Sequence, residues 1–189
     1  TVNGPMAFDP IAASAYAELT TDPIILNSQP WIIPQGYSQR IVSDESNLDI
    51  YAGSDWNDMN TVNETGKHAG RYMYRTHEVR PSSSNPGAYT GGAVSVVDLK
   101  TGDARIVAQR LDWEALDGIV WTPWGTVLFA EETGNAVFTD PDHPGAIRGL
   151  VYELKLDRKD PTKAASIKVR PMLGSVSHEV LHAAQVPVL

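Results

Sequence analysis

The sequence predicts an all-β protein, an incomplete β-propeller with an extended N-terminal arm. Three observations lead there. From Pro34 onward the chain is written in short runs of Val, Ile and aromatic residues, separated by Gly, Pro, Asp and Asn, the pattern of strands joined by tight turns. These runs repeat. Thr76-His77-Glu78 closes one as Ala130-Glu131-Glu132 closes another, 54 residues later, and the run from Gly92 is answered 57 residues later by the run from Gly149. Acids recur at matching places, with Asp58, Asp117 and Glu179 each standing where a new unit opens. Repeats of roughly 40–50 residues with four strands each describe propeller blades, and a ring closes with about 4–8 of them. The chain holds about two blades and the start of a third. Other blades, from further chain or another polypeptide, would complete the ring.

Taken in order, residues 1–33 form the arm. They are rich in Pro, Ala and Thr with weak periodicity, and only residues 11–19 read as a short helix. Residues 34–189 form the partial propeller domain. Strands are expected at 38–42, 70–75, 93–99, 104–108, 118–121, 126–129, 149–156 and 167–170, where β-branched and aromatic residues concentrate. Asp98 to Asp103 reads as a hairpin loop with Gly102 in the left-handed position. The stretch from Leu116 to Gly134 reads as a second hairpin, turning at Thr122-Pro123-Trp124-Gly125 and ending in Glu131 and Glu132. Side chains alternate faces along a strand, so only one of those two acids can share a given site. Residues 70–78 and 126–132 are expected to be equivalent inner strands of adjacent blades. Trp56, Trp113, Trp121 and Trp124 read as blade core.

Composition narrows the function. The net charge is −8 with a pI near 5.0, which argues against nucleic acid, since phosphate backbones call for a basic face. No apolar run approaches the roughly 20 residues of a membrane-spanning helix. There are no cysteines, so disulfides, thiolate metal sites and cysteine nucleophiles are excluded. The chain opens at Thr1 with neither initiator methionine nor signal peptide, which fits a processed mature chain or a cut piece.

The residues able to carry chemistry are the recurrent acids. Glu78, Glu132 and Glu179 are the first candidate metal ligands, with Asp58, Asp117 and Glu131 behind them. Inner strands of a propeller converge on its axis, and carboxylates that meet there repel one another unless a cation neutralises them. Hard cations such as Ca²⁺ take six to eight oxygen ligands. His178-Glu179-Val180-Leu181-His182 also fits the H-E-x-x-H pattern of zinc proteases, although Pro187 and the few residues after it offer no third ligand. Arg71, Arg75 and Arg80 could clamp phosphate, but in a regular strand Arg71 and Arg75 face away from Glu78. His77 reads as a hydrogen-bonded structural residue, and Asn63-Glu64-Thr65 is a glycosylation sequon that matters only in a eukaryotic secretory path.

Several segments together resemble the PhoX-type alkaline phosphatases, secreted metal-dependent β-propeller enzymes. They are Gly4-Pro5-Met6-Ala7-Phe8-Asp9-Pro10-Ile11, Pro34-Gln35-Gly36-Tyr37, Tyr74-Arg75-Thr76-His77-Glu78 and, above all, Thr122-Pro123-Trp124-Gly125-Thr126 leading to Glu131-Glu132. Leu173 to Glu179 is similar to the family's later acid-bearing segment. The resemblance covers the front part of the family's domain. It implies phosphate-ester hydrolysis, a carboxylate-bound Ca²⁺ and export to the periplasm or the cell exterior. The family pattern places an iron-ligating cysteine just before the Glu pair, whereas this chain has Ala130; iron is therefore doubtful. The alternative is a non-catalytic propeller subunit used for binding or assembly.

Overall fold

The structure is a computed structural model that describes residues 31, 33, 37–43, 48, 55–80, 90–132, 140–145 and 149–170. Among them there are eight strands and no helix. The strands are β1 (Asp55–Val62), β2 (Tyr72–Val79), β3 (Gly92–Asp98), β4 (Ala104–Arg110), β5 (Leu116–Trp121), β6 (Thr126–Glu131), β7 (Val151–Leu156) and β8 (Ala164–Arg170). They make two antiparallel sheets, ordered β1-β2-β3-β4 and β5-β6-β7-β8. In each sheet, chain neighbours are also spatial neighbours, the usual arrangement of consecutive antiparallel strands. β2 and β6 are the second strands of separate sheets, the equivalence that the 54-residue spacing predicts.

The chain divides into two units, residues 1–44 and 45–189. In the first, the Gln39 side-chain amide pairs with the backbone of Trp31 in both directions, at 3.0 and 2.6 Å. The expected strand at 38–42 is absent there, and the residues are irregular. The run is short and polar at Gln39 and Arg40, so it has little apolar surface to drive pairing. The arm's expected helix at 11–19 lies outside the described residues.

In the second unit, β1 is a strand that the sequence pattern did not reveal. Its text, DWNDMNTV, is rich in Asn and Asp, residues depleted in strands. Antiparallel pairing with β2 overrides that preference. The β1–β2 connection is held by Asn63, whose side chain accepts from the Tyr72 N–H at 2.8 Å and donates to the His68 carbonyl at 2.6 Å. Asn63 is thus a buried turn residue, which takes the sequon's acceptor amide out of reach in the folded chain. The β3–β4 turn has Gly102 at φ 83°, its N–H on the Asp98 carbonyl at 2.7 Å.

One face of each sheet builds the core. Tyr72, Tyr74, Val94 and Val96 from the first sheet meet Ile119, Trp121, Phe129, Tyr152 and Leu154 from the second. Tyr74 stacks on Trp121 at 5.9 Å, and Phe129 stacks on Tyr152 at 5.4 Å with the Trp113 ring edge-on to Phe129 at 5.0 Å. Trp113 and Trp121 are core, as expected. Trp56 and Trp124 are not: they are 67% and 68% exposed, because β1 lies at a sheet edge and Trp124 caps a turn. The backbone is also crowded before β7, where a Cβ on Gly149 would fall 2.2 Å from the Glu131 carbonyl oxygen, so only glycine fits.

The second sheet's other face carries a buried charge. Glu153 accepts from Trp124 Nε1 at 2.7 Å, from Thr126 Oγ1 at 2.7 Å and from the Arg170 guanidinium. Burial alone would raise its pKa, but these hydrogen bonds and the Arg170 charge outweigh it and hold the carboxyl at about 2. A depressed pKa stabilises the fold above the ordinary value of 4.5, and the benefit is lost as pH falls toward 2. Glu153→Gln is therefore expected to cost about 1.5–3 kcal/mol at pH 7, with its Tm deficit shrinking steadily between pH 5 and pH 2. A deficit that stays constant across that range in thermal melts would contradict the assignment.

Candidate functional site

The site arises where the first strands of the two sheets come together. In β1 the register breaks between Asn57 and Asn60, leaving Asp58 and Met59 in a bulge. In β5 it breaks between Leu116 and Ile119, leaving Asp117 and Gly118. A bulge turns a side chain out of the regular ladder and commonly re-aims it toward a site. The two aspartates thus occupy the same place in the two sheets. Glu78 lies near the end of β2 and Glu132 just after β6, again at matching positions.

Two backbone features fix this corner. The Thr76 hydroxyl donates to the Asp117 carbonyl at 2.6 Å and accepts from the Met59 N–H at 3.2 Å, tying one bulge to the other. Ala115 is fully buried in a left-handed conformation, φ 42°, and its carbonyl accepts the Glu132 N–H at 2.8 Å. A non-glycine residue in that region is strained, and the hydrogen bond holds Glu132 beside the strand that carries Asp117.

The electrostatics report the gathering directly. The Asp58 pKa is pushed up from 3.8 to about 6, first by burial, then by the charge and a shared hydrogen bond of Asp117, and further by the charges of Glu78 and Glu132. Four of the six candidate acids therefore meet at the sheet junction, where Asp117, Glu78 and Glu132 all act on Asp58. Glu78 is also paired with the Arg80 guanidinium, so one of the four already has a cation.

Glu131 serves a different end. Its carboxylate accepts from the Glu114 N–H at 3.1 Å, the Leu150 N–H at 3.2 Å and the Tyr152 hydroxyl at 3.3 Å. It stands on the face opposite Glu132, as strand alternation requires, and joins the start of β5 to β7. Its pKa is raised by burial against the opposing pull of those donors. His77, at the matching place in the first sheet, is buried with its Nε2 2.7 Å from Ser95 Oγ. Arg71 binds Asp98 and Arg75 binds Asn60, so neither is directed to the carboxylates. Glu179, His178 and His182 lie outside the described residues.

The four carboxylates form an all-oxygen donor set, which suits a hard cation and offers nothing to a thiophilic one. Among the described residues no group of three or more His, Asp or Glu side chains is arranged to hold a metal ion, so gripping one requires their side chains to turn inward. Also among the described residues, no helix is long and apolar enough to cross a membrane. Sequence reasoning missed the anchoring roles of Thr76 and Ala115, which depend on contacts between sheets. It weighed Arg80 against phosphate rather than against Glu78, two residues away and on the same side of an extended chain. Comparison with protein-family models, with curated proteins and with solved structures finds no match to this chain.

An acid whose folded pKa is raised stabilises the fold fully below its ordinary value of 3.8 and loses that contribution as pH rises through about 6. Asp58→Asn is therefore expected to match the parent Tm near pH 4 and to exceed it at pH 7. Solvent screening keeps the gain to about 1 kcal/mol. Parallel melting curves for the two proteins across this range would show that Asp58 does not feel its neighbours.

Proposed function

We propose that the chain is part of a β-propeller, each four-stranded sheet being one blade, and that the carboxylates at the blade junction hold Ca²⁺ in a PhoX-like phosphate-ester hydrolase that is exported. The observation supporting this reading is the meeting of Asp58, Asp117, Glu78 and Glu132, two pairs from matching positions of successive sheets, with Asp58 raised by burial and then by the other three. Repulsion among them is what a divalent cation would relieve. The oxygen-only donors, with Ala130 where the resemblance expects cysteine, favour calcium and leave iron without its thiolate.

When bound, such a cation would polarise a phosphoryl oxygen and lower the pKa of a coordinated water. The chain's own part is to orient. Thr76 and Ala115 hold the Asp117 and Glu132 backbone in place. Asp58 shares a hydrogen bond with Asp117, which keeps the two carboxyls together. Arg80 stands beside Glu78 with its side chain half exposed, where a guanidinium can align phosphate oxygens. A second reading, a non-catalytic propeller subunit used for binding, is favoured by one observation: the Arg80–Glu78 pair already neutralises part of the cluster.

Under the metal reading, chelation lowers the Tm and excess Ca²⁺ restores it, by linkage of binding to folding. Glu132→Gln should weaken that calcium response markedly, while Glu64→Gln, at an exposed turn position, leaves it unchanged. Phosphomonoester turnover that follows the calcium response supports the enzyme. A calcium response without turnover favours the binding subunit, and a melting curve indifferent to both chelator and Ca²⁺ removes the metal from either reading.

A further inference from the structure

The cations of this chain are unevenly placed. The end of β7, the turn after it and β8 carry Lys155, Arg158, Lys159, Lys163, Lys168 and Arg170 against only Asp157 and Asp160. Six cations against two acids leave this hairpin at +4, so the remainder of a chain of net charge −8 stands at −12. All six cationic residues are exposed. The two acids are occupied within the turn. Asp157 accepts from the Lys159 and Asp160 N–H groups at 2.7 and 2.9 Å, and Asp160 accepts from the Thr162 N–H at 3.1 Å and pairs with Lys163 at 2.9 Å. Arg170 pairs with Glu153. Lys155, Arg158, Lys159 and Lys168 form no ion pair among the described residues, although the Lys159 charge acts on Asp157.

The hairpin holds these cations in a fixed arrangement. Its turn closes with the Asp157 N–H on the Lys163 carbonyl at 2.8 Å and the Lys163 N–H on the Asp160 carbonyl at 3.0 Å. The Tyr74 hydroxyl of the first sheet donates to the Pro161 carbonyl at 2.9 Å. Lys155 lies opposite Ser166 in the β7–β8 register, which makes Lys168 its diagonal neighbour on the same face, about 7–8 Å away. Like charges so close repel one another. Protection of an edge strand explains cations on β8. It does not explain Lys155 on β7, a strand flanked on both sides, nor Arg158 and Lys159 in the turn.

We propose that this hairpin docks the protein on an anionic lipid bilayer. Clusters of about 4–8 Lys and Arg bind acidic headgroups by charge. What lies between the cations argues against other polyanions. The hairpin's remaining exposed residues are Ala164, Ala165 and Ser166, and no aromatic residue occurs from Lys155 to Arg170. It therefore offers no platform on which the bases of a single strand could stack, and no aromatic anchor for a pocket in a protein partner. Headgroups move laterally to meet each ammonium, so charge without shape suffices there. The acidic remainder is repelled by the same surface, which turns the hairpin toward it. The inference is independent of calcium, of hydrolysis and of ring closure.

The test is sedimentation of the chain with phosphatidylcholine vesicles carrying about 30% phosphatidylglycerol, in low salt. Binding is expected to exceed that to pure phosphatidylcholine vesicles about tenfold, and to fall to that level in about 0.5 M salt, where charges are screened within a few ångströms. Lys155→Gln, Lys159→Gln and Lys168→Gln together should weaken binding to the acidic vesicles about tenfold. Lys67→Gln, Lys100→Gln and Arg105→Gln remove the same charge from exposed sites elsewhere, and together should change it less than about twofold. Arg158→Gln with Lys159→Gln, confined to the turn, is a second variant with an expected loss of about threefold. Melting curves show that each variant folds. Equal losses from the two triple variants, equal binding to the two kinds of vesicle, or no binding to either would each overturn the proposal. So would tighter binding to soluble dextran sulfate than to the acidic vesicles, which would assign the hairpin to a polyanion in solution.

Discussion

The contact on which the rest depends is the seam between the first sheet and β5. There Tyr74 stacks on Trp121, Thr76 hydrogen-bonds the Asp117 carbonyl, and Thr61 takes the Trp121 N–H. Each four-stranded sheet has an apolar face, and taking that face out of water is the main favourable term available to it. Docking one sheet on the next buries Tyr72, Tyr74, Phe129, Tyr152 and both core tryptophans in one cluster. The same docking brings the two bulges side by side. The apolar gain therefore outweighs the electrostatic cost of placing Asp58 and Asp117 together.

That division of labour explains why neighbouring acids behave so differently. Glu131 is half-buried and Glu153 buried, each with hydrogen-bond donors around it, so they act as structural anchors within the second sheet. Asp140 belongs with them: burial would raise its pKa, but hydrogen bonds from the Tyr152 hydroxyl and the backbone, with the Arg110 charge, keep it low. Arg110 lies over both Trp113 and Tyr152 and reaches Asp140 at 3.2 Å, tying the end of β4 to the loop before β7. Asp58 has different surroundings: burial and then the acids Asp117, Glu78 and Glu132 push its pKa up. Acids that hold the fold are matched with donors, and Asp58 is set among other acids.

Much of this was legible in the sequence, and for identifiable reasons. Seven of the eight strands carry β-branched or aromatic runs bounded by turn residues, and those runs located them. β1 escaped because its Asn and Asp content disguises an edge strand, and 38–42 misled because composition cannot show whether a run has a partner. The equivalence of Glu78 with Glu132 and of Asp58 with Asp117 was visible as spacing. The separate fate of Glu131 followed from alternation along β6. What spacing could not show was the Arg80–Glu78 pair, the strain at Ala115 and the Thr76 link, since each depends on how one sheet is turned against the other.

The central claim is that carboxylates from matching positions of the two sheets share one electrostatic space. The direct test follows the side-chain carboxyl carbon of Asp58 by NMR through a pH titration, in the parent chain and in Asp117→Asn. The Asp58 signal is expected to move near pH 6 in the parent and at lower pH when Asp117 is replaced by Asn. Titration of Asp58 near the ordinary aspartate value, unaffected by that replacement, would contradict the claim.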